Sequence, residues 1–174
     1  MAEEQLVGHG FGPVYDEGSK ILILGSFPSV KSREQAFYYG HPQNRFWRVI
    51  EALASPDGQA DGTLAGASVA EKERFLHQHH IALYDVIESC RITGSSDASI
   101  RDVQPADLAP ILAAGDIGER IFVNGAKAHQ LYMRYIFPVT GIAAVRLPST
   151  SPANAAWSPA RLTAEWRRLI GPLV

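Results

Sequence analysis

The chain has 174 residues, 46% hydrophobic and 20% charged, with a formal net charge of −2; this suits one domain with a sizeable core and excludes a global basic field for holding nucleic acid. Its one cysteine, Cys90, excludes an internal disulfide, an iron–sulfur cluster on several thiolates and a Cys-rich zinc site, and fits a reducing compartment. The acidic, apolar-poor start Met1–Val7 does not read as a signal peptide, and no apolar run approaches the roughly 20 residues of a membrane span, so a cytoplasmic protein without membrane contact is expected.

In chain order, the first predicted element is a strand, Lys20–Leu24. It runs into Gly25-Ser26-Phe27-Pro28-Ser29, which has neither the Gly-Lys-Ser/Thr of a P-loop nor a Gly-x-Gly-x-x-Gly fingerprint. Its N–H groups and the hydroxyls of Ser26 and Ser29 can hold a phosphate or a small polar ring, although by itself it reads more simply as a tight turn braked by proline. Next comes Phe37-Tyr38-Tyr39-Gly40-His41-Pro42-Gln43-Asn44-Arg45-Phe46-Trp47, aromatic and amide-bearing, with almost no aliphatic content. That composition suits a pocket for a flat polar ring better than a core. Phe37 and Tyr39 offer faces for stacking on a base. Asn44 opens a predicted helix, Asn44–Ala54, where an amide caps the helix or orients a water, and Phe46 and Trp47 belong to the core face of that helix.

Pro56–Ser68 reads as a surface loop and Val69–His79 as a helix. His77, His79 and His80 sit at the negative end of its dipole, on spacings that do not share one face, so no metal site is expected. The strand Ile81–Ile87 carries Asp85, a carboxylate that either caps a turn or reads a ring N–H. A helix Pro105–Ala114 opening on proline, a strand Arg120–Asn124, a helix Ala126–Phe137 and a strand Ile142–Leu147 follow. The loop Pro148–Asn154 can present hydroxyls to a phosphodiester backbone, or can simply be a capped loop before the last helix, Ala160–Ile170, which is announced by Ser158-Pro159.

The predicted strands are nearly continuous in apolar character, as strands buried on both faces are, and they alternate with helices. The expected architecture is therefore an α/β sandwich of one domain, residues 1–174, with a mostly parallel sheet and a site beyond the strands' carboxyl ends. Those ends, Gly25–Ser29, Asp85–Ser89, Asn124-Gly125 and Pro148–Asn154, are polar or turn-rich and can converge on one cleft.

Gly25–Ser29, the segment Tyr39–Trp47 and Leu147-Pro148-Ser149-Thr150-Ser151 resemble the uracil-DNA glycosylase superfamily, in an order that covers about Ile21 to Leu169. The His-Pro-x-Asn-x-Phe-Trp stretch is similar to the mismatch-specific branch. Its combination with Gly-Ser-Phe-Pro-Ser looks most like the hypoxanthine-DNA glycosylase branch. The resemblance implies a three-layer α/β/α sandwich with a central four-stranded parallel sheet and no metal or cofactor. It also implies a partner in double-stranded DNA containing a deaminated base, most of all hypoxanthine, which is flipped out and cut from its sugar without strand cleavage. A monomer is expected. Phe27 stands where uracil-specific members carry Asp or Asn, and Leu147 where many carry His or Asn, so efficient uracil excision is not implied.

In the hypoxanthine branch the asparagine matching Asn44 supplies the catalytic amide, and the expectation here is that its carbonyl orients the attacking water. Tyr39 is expected to stack on the base, Asp85 to accept the N1–H of hypoxanthine, and Phe27 to pack beside the sugar or base. Ser26, Ser29, His41, Ser149 and Ser151 are candidates for DNA-backbone or loop contacts, with Thr150–Asn154 filling the gap left by the flipped base. The rival readings are a mismatch-specific uracil glycosylase and a non-catalytic module that binds damaged DNA or a nucleobase.

Overall fold

A computed structural model describes residues 3–173. Its strands are β1 (Glu4–Gly8), β2 (Ile21–Gly25), β3 (Ile81–Asp85), β4 (Ile87–Thr93), β5 (Arg101–Pro105), β6 (Ile121–Asn124) and β7 (Val145–Leu147). The helices are α1 (Val30–Gln35), α2 (Phe46–Ala54), α3 (Val69–Gln78), α4 (Ala109–Ala114), α5 (Ala126–Leu131), α6 (Phe137–Thr140) and α7 (Pro159–Ile170). Met1, Ala2 and Val174 lie outside the described residues.

The central element is a four-stranded parallel sheet in the order β3-β2-β6-β7. β2 is buried along its whole length because strands pair on both its edges and helices cover both its faces. Successive side chains of a strand point to opposite faces. Accordingly Leu22 and Leu24 enter a core with Ile111 of α4 and Ala128 and Leu131 of α5. Ile21 and Ile23 enter another with α2, α3 and α7. The result is the expected three-layer α/β/α sandwich.

Local chemistry sets the helix ends. Ser68 and Glu71 form a reciprocal capping box at α3, and Ser158 accepts from Arg161 N at α7 with Pro159 in the first turn. Trp166 of α7 is fully buried, edge-on to Phe46 of α2, and its indole N–H donates to the Pro148 carbonyl at 2.8 Å. Cutting such a ring back to alanine costs roughly 3–5 kcal/mol.

Several elements differ from the sequence expectation. Ile81–Ile87 is not one strand: the chain leaves the parallel sheet after Asp85 and enters a three-stranded antiparallel sheet, β1-β4-β5, at Ile87. The corner is held by Val86 N and Ile87 N donating to the carbonyls of Gly25 and Ser26. Val86 and Ile87 carry the apolar run past Asp85, so in the sequence the two strands read as one. Pro105 closes β5, and the helix expected from it starts at Ala109, whose N–H is received by the Asp107 carboxylate. The helix expected over Ala126–Phe137 widens into a π-turn at Tyr132–Ile136. The strand expected from Ile142 begins at Val145, since the Ile142 carbonyl is bound by the Tyr132 hydroxyl.

Candidate active site

The carboxyl ends of the parallel strands open on a cleft of about 240 Å³. Nine of the residues singled out from sequence line it: Ser26, Phe27, Ser29, Tyr39, His41, Asn44, Asp85, Ser149 and Ser151. Phe37 does not. It is buried and stacked on Trp47, with centroids 5.8 Å apart, while the following Tyr38 and Tyr39 line the cleft. Leu147 is fully buried in the core beneath.

Asn44 is the hub of a hydrogen-bond relay. Asn124 Nδ2 donates to Thr150 Oγ1 at 2.9 Å, and Thr150 Oγ1 donates to Asn44 Oδ1 at 2.8 Å. Phe46 N also donates to Asn44 Oδ1, at 2.9 Å, and Thr150 N donates to Asn124 Oδ1 at 3.0 Å. A backbone N–H can only donate, which fixes the Asn44 oxygen towards α2. Both lone pairs of that carbonyl are thus engaged. Contrary to the sequence expectation, the carbonyl is not free to orient a water; the free group is Nδ2, a donor with no partner among the described residues.

Asp85 is buried at the floor. Its Oδ2 lies 2.7 Å from His9 Nε2, and His9 Nδ1 faces the Phe11 carbonyl. His9 is also buried, boxed by the rings of Phe11, Tyr38 and Tyr84. The antiparallel sheet delivers it: β1 pairs with β4 so that Gly8 sits opposite Ser89, and His9 N then bonds the Glu88 carbonyl at 2.7 Å. Sequence reasoning missed His9, since nothing near it marks a partner 76 positions away.

Gly25 faces this carboxylate. A Cβ there would lie 2.4 Å from Asp85 Oδ1 and 3.1 Å from the Tyr39 hydroxyl oxygen, Oη. Tyr39 adopts a left-handed backbone with φ 53°, a sparsely populated conformation for a bulky residue. One face of its ring, expected to stack on a base, is stacked on Phe46 at 4.1 Å. Its hydroxyl is buried and gives its hydrogen to no acceptor among the described residues, with the Asn124 amide beside it. Burial, and then the charge of Asp85, push its phenol well above the ordinary tyrosine range, so it stays protonated.

The cleft's hydroxyls divide into two kinds. Ser26 Oγ donates to Asp97 Oδ1 at 3.1 Å and Ser29 Oγ donates to Ser32 Oγ at 3.1 Å, so both hydrogens are committed within the protein. Desolvation raises the Asp97 carboxyl above its ordinary value, against the opposing pull of Ser26. Ser149 and Ser151 only accept, from the N–H groups of Ser151 and Ala153, which leaves their hydrogens free for a phosphate oxygen. His41 Nδ1 accepts from Gln43 N at 3.1 Å, so its Nε2 carries a hydrogen that can be donated.

The late loop is held by Arg45. Its Nε and Nη2 donate to the carbonyls of Thr150, Ser151 and Asn154 at 3.4, 3.0 and 3.1 Å, and Nη1 donates to that of Trp157. A planar fork with five N–H donors is suited to gathering several carbonyls at once. Its place beside Asn44 was the one available sequence signal. Elsewhere, the three histidines at the end of α3 diverge: His77 faces Asp16 at 2.9 Å, His80 meets the Gly18 carbonyl and His79 packs on Phe75.

Residues 13–170 match the family model of the uracil DNA glycosylase superfamily. A protein from Methanosarcina acetivorans named hypoxanthine DNA glycosylase is 33% identical over 162 residues, 92% of this chain and 96% of that one. A protein of the same name from Methanosarcina barkeri is 33% identical over 125 residues, 68% of this chain and 72% of that one. The solution NMR structure of a candidate uracil DNA glycosylase from M. acetivorans superposes with a TM-score of 0.71 at 32% identity, covering 95% of this chain and 99% of that one.

Proposed function

This chain belongs to the uracil DNA glycosylase superfamily and is a DNA glycosylase, and from that premise we propose that it removes hypoxanthine from deoxyinosine in double-stranded DNA, as a monofunctional enzyme of base excision repair acting as a monomer. The observation that carries this reading is the meeting, in one cleft, of a carboxylate oxygen that accepts, on Asp85, and a free amide donor, on Asn44. Flipping the nucleotide out of the stack brings its base to the cleft floor. There Asp85 receives the N1–H of hypoxanthine, while the bare N1 of adenine meets only another acceptor. Phe27 packs beside the sugar or base, with Tyr39 at the floor. His41, Ser149 and Ser151 donate to backbone phosphates, and the loop from Thr150 to Asn154 fills the gap in the stack.

In the chemical step the C1′–N9 bond breaks and both its electrons leave on the base, so the sugar becomes oxocarbenium-like. A water oxygen then bonds C1′ and its lost proton ends on the departed base anion, leaving neutral free base and an abasic site. Such a cation needs little help from its nucleophile. An N–H of Asn44 Nδ2 can therefore hold one lone pair of the water while the other attacks, which asks no basicity of an amide. Among the described residues, those that line the cleft include no lysine, which supports base loss without an imine and without strand cleavage.

The test is a duplex carrying one deoxyinosine, incubated with enzyme in excess. Abasic sites without strand breaks are expected, and Asn44→Ala should slow their formation on the order of a hundredfold with the fold retained. An absence of abasic sites with wild-type protein sinks the reading. Parallel duplexes with uracil, xanthine and mismatched thymine rank the substrates.

A further inference from the structure

We propose that the cleft floor recognises a lactam edge, the H–N–C=O pair that deamination creates in a base, with Asp85 Oδ1 accepting the ring N–H, Tyr39 Oη donating to the carbonyl, and His9 as the positioning residue that leaves Oδ1 able only to accept. The proposal rests on the glycosylase reading above and assigns the residues that tell hypoxanthine from adenine.

The two atoms come together over Gly25, whose lack of a Cβ makes room for them: Asp85 Oδ1 and Tyr39 Oη lie 2.4 and 3.1 Å from where that Cβ would be. Among the described residues Asp85 Oδ1 accepts no hydrogen bond, and the buried Tyr39 hydroxyl has the Asn124 amide beside it, a donor that leaves the phenol hydrogen free. A free acceptor lone pair and a free hydroxyl hydrogen at the floor of a cleft await a ligand that pairs them, because burial without a partner is costly. A protonated phenol beside a carboxylate oxygen offers one donor and one acceptor. A lactam, with ring N–H and C=O on adjacent atoms, is their complement. The amidine edges of adenine and cytosine carry the opposite pattern.

His9 makes the acceptor independent of protonation. The Phe11 carbonyl can only accept, so Nδ1 carries a hydrogen. One proton then lies between Nε2 and Asp85 Oδ2 at 2.7 Å. If it sits on Nε2, Asp85 is a carboxylate. If it sits on Oδ2, Oδ1 is the carbonyl oxygen of a carboxylic acid. In both cases Oδ1 accepts and cannot donate. Without His9, a protonated Asp85 can turn its O–H into the cleft and pair with the N1 of adenine. The other titratable groups facing Asp85 do not change this: the Tyr38 hydroxyl is bound to the Gly12 carbonyl, Tyr84 packs on the His9 ring and Asp97 takes the Ser26 hydrogen.

The experiment measures binding by fluorescence anisotropy and base release under single turnover on otherwise identical duplexes. These carry deoxyinosine, N1-methyldeoxyinosine, which keeps the carbonyl but loses the N–H, or deoxyadenosine. Wild-type protein should bind the deoxyinosine duplex at least about tenfold more tightly than either control. Tyr39→Phe and His9→Leu should shrink the preference over adenine while keeping their circular dichroism. His9→Gln, whose amide N–H still donates to Oδ2, should retain it. Folded Tyr39→Phe and His9→Leu proteins that discriminate as the wild type does overturn the proposal, as does a wild type without preference. If the binding preference holds but no base is released, the lactam site stands and the glycosylase reading falls. If base is released while the variants stay selective, the reverse follows.

Discussion

Thr150 gives its hydroxyl hydrogen to Asn44 Oδ1 over 2.8 Å, which ties the loop after β7 to the segment that leads into α2. Because Thr150 is fully buried and also receives Asn124 Nδ2, its hydroxyl orients two amides at once. Thr150→Val should leave both amides short of a partner, cost about 1–3 kcal/mol in stability and slow base excision. Thr150→Ser keeps the oxygen and should stay near wild type in rate. Thermal unfolding and single-turnover assays on the two variants check the pair; a valine variant as fast as the serine one removes the relay from the mechanism.

Arg45 should matter through geometry rather than charge. Arg45→Lys retains the cation but loses the fork that gathers the carbonyls of Thr150, Ser151, Asn154 and Trp157. The expected outcome is a loss of roughly 2–3 kcal/mol, with faster hydrogen exchange confined to residues 150–157 and weaker DNA binding. Uniform protection across the chain in the lysine variant would contradict the clamp.

Gly25→Ala introduces a methyl group at 2.4 Å from Asp85 Oδ1. Neither β2 nor the corner that follows β3 can retreat easily, since Val86 N is bonded to the Gly25 carbonyl. The variant should lose roughly 1–3 kcal/mol. It should lose deoxyinosine binding by more than its loss of stability explains, because the methyl group fills the floor itself. Normal affinity for a deoxyinosine duplex in a folded Gly25→Ala protein would show that the floor is not where the base sits.

Alkaline pH probes the buried phenols. Burial, followed by the charge of Asp85, raises Tyr38 and Tyr39 above the ordinary tyrosine value of about 10. Above that pH the unfolded chain gives up these protons while the folded one keeps them, so stability falls as pH rises. Their contribution is complete below about pH 10 and is lost as pH climbs towards the raised folded values. Melting temperature should therefore decline above pH 10, less steeply in Tyr39→Phe than in wild type. An equal slope in both proteins would place the Tyr39 hydroxyl in solvent.

The parallel strands were legible because β2, β3 and β6 are buried on both faces and therefore read as unbroken apolar runs. β4 and β5 were not legible, because exposed residues such as Glu88, Arg101 and Asp102 interrupt them and the small sheet gets its order from pairing with distant segments. The segment from Phe37 to Trp47 pointed to the cleft because aromatic and amide residues without aliphatic neighbours have little use in a core. That logic erred at Phe37, whose ring found Trp47.

By itself the sequence determined the α/β class, the end of the sheet where a site lies, and the side chains brought there. The tertiary structure decided which atom of each side chain is left to act. Asn44 was readable as an amide, but only the arrival of Thr150 and the N–H of Phe46 shows that its oxygen is used and its nitrogen is free. Asp85 was readable as a carboxylate, but only β1 pairing with β4 brings His9 to one of its oxygens and leaves the other over Gly25. The physical reason is that donors and acceptors saturate. A residue type states what can be bonded, and what remains unbonded depends on partners that lie far along the chain and meet only in the fold.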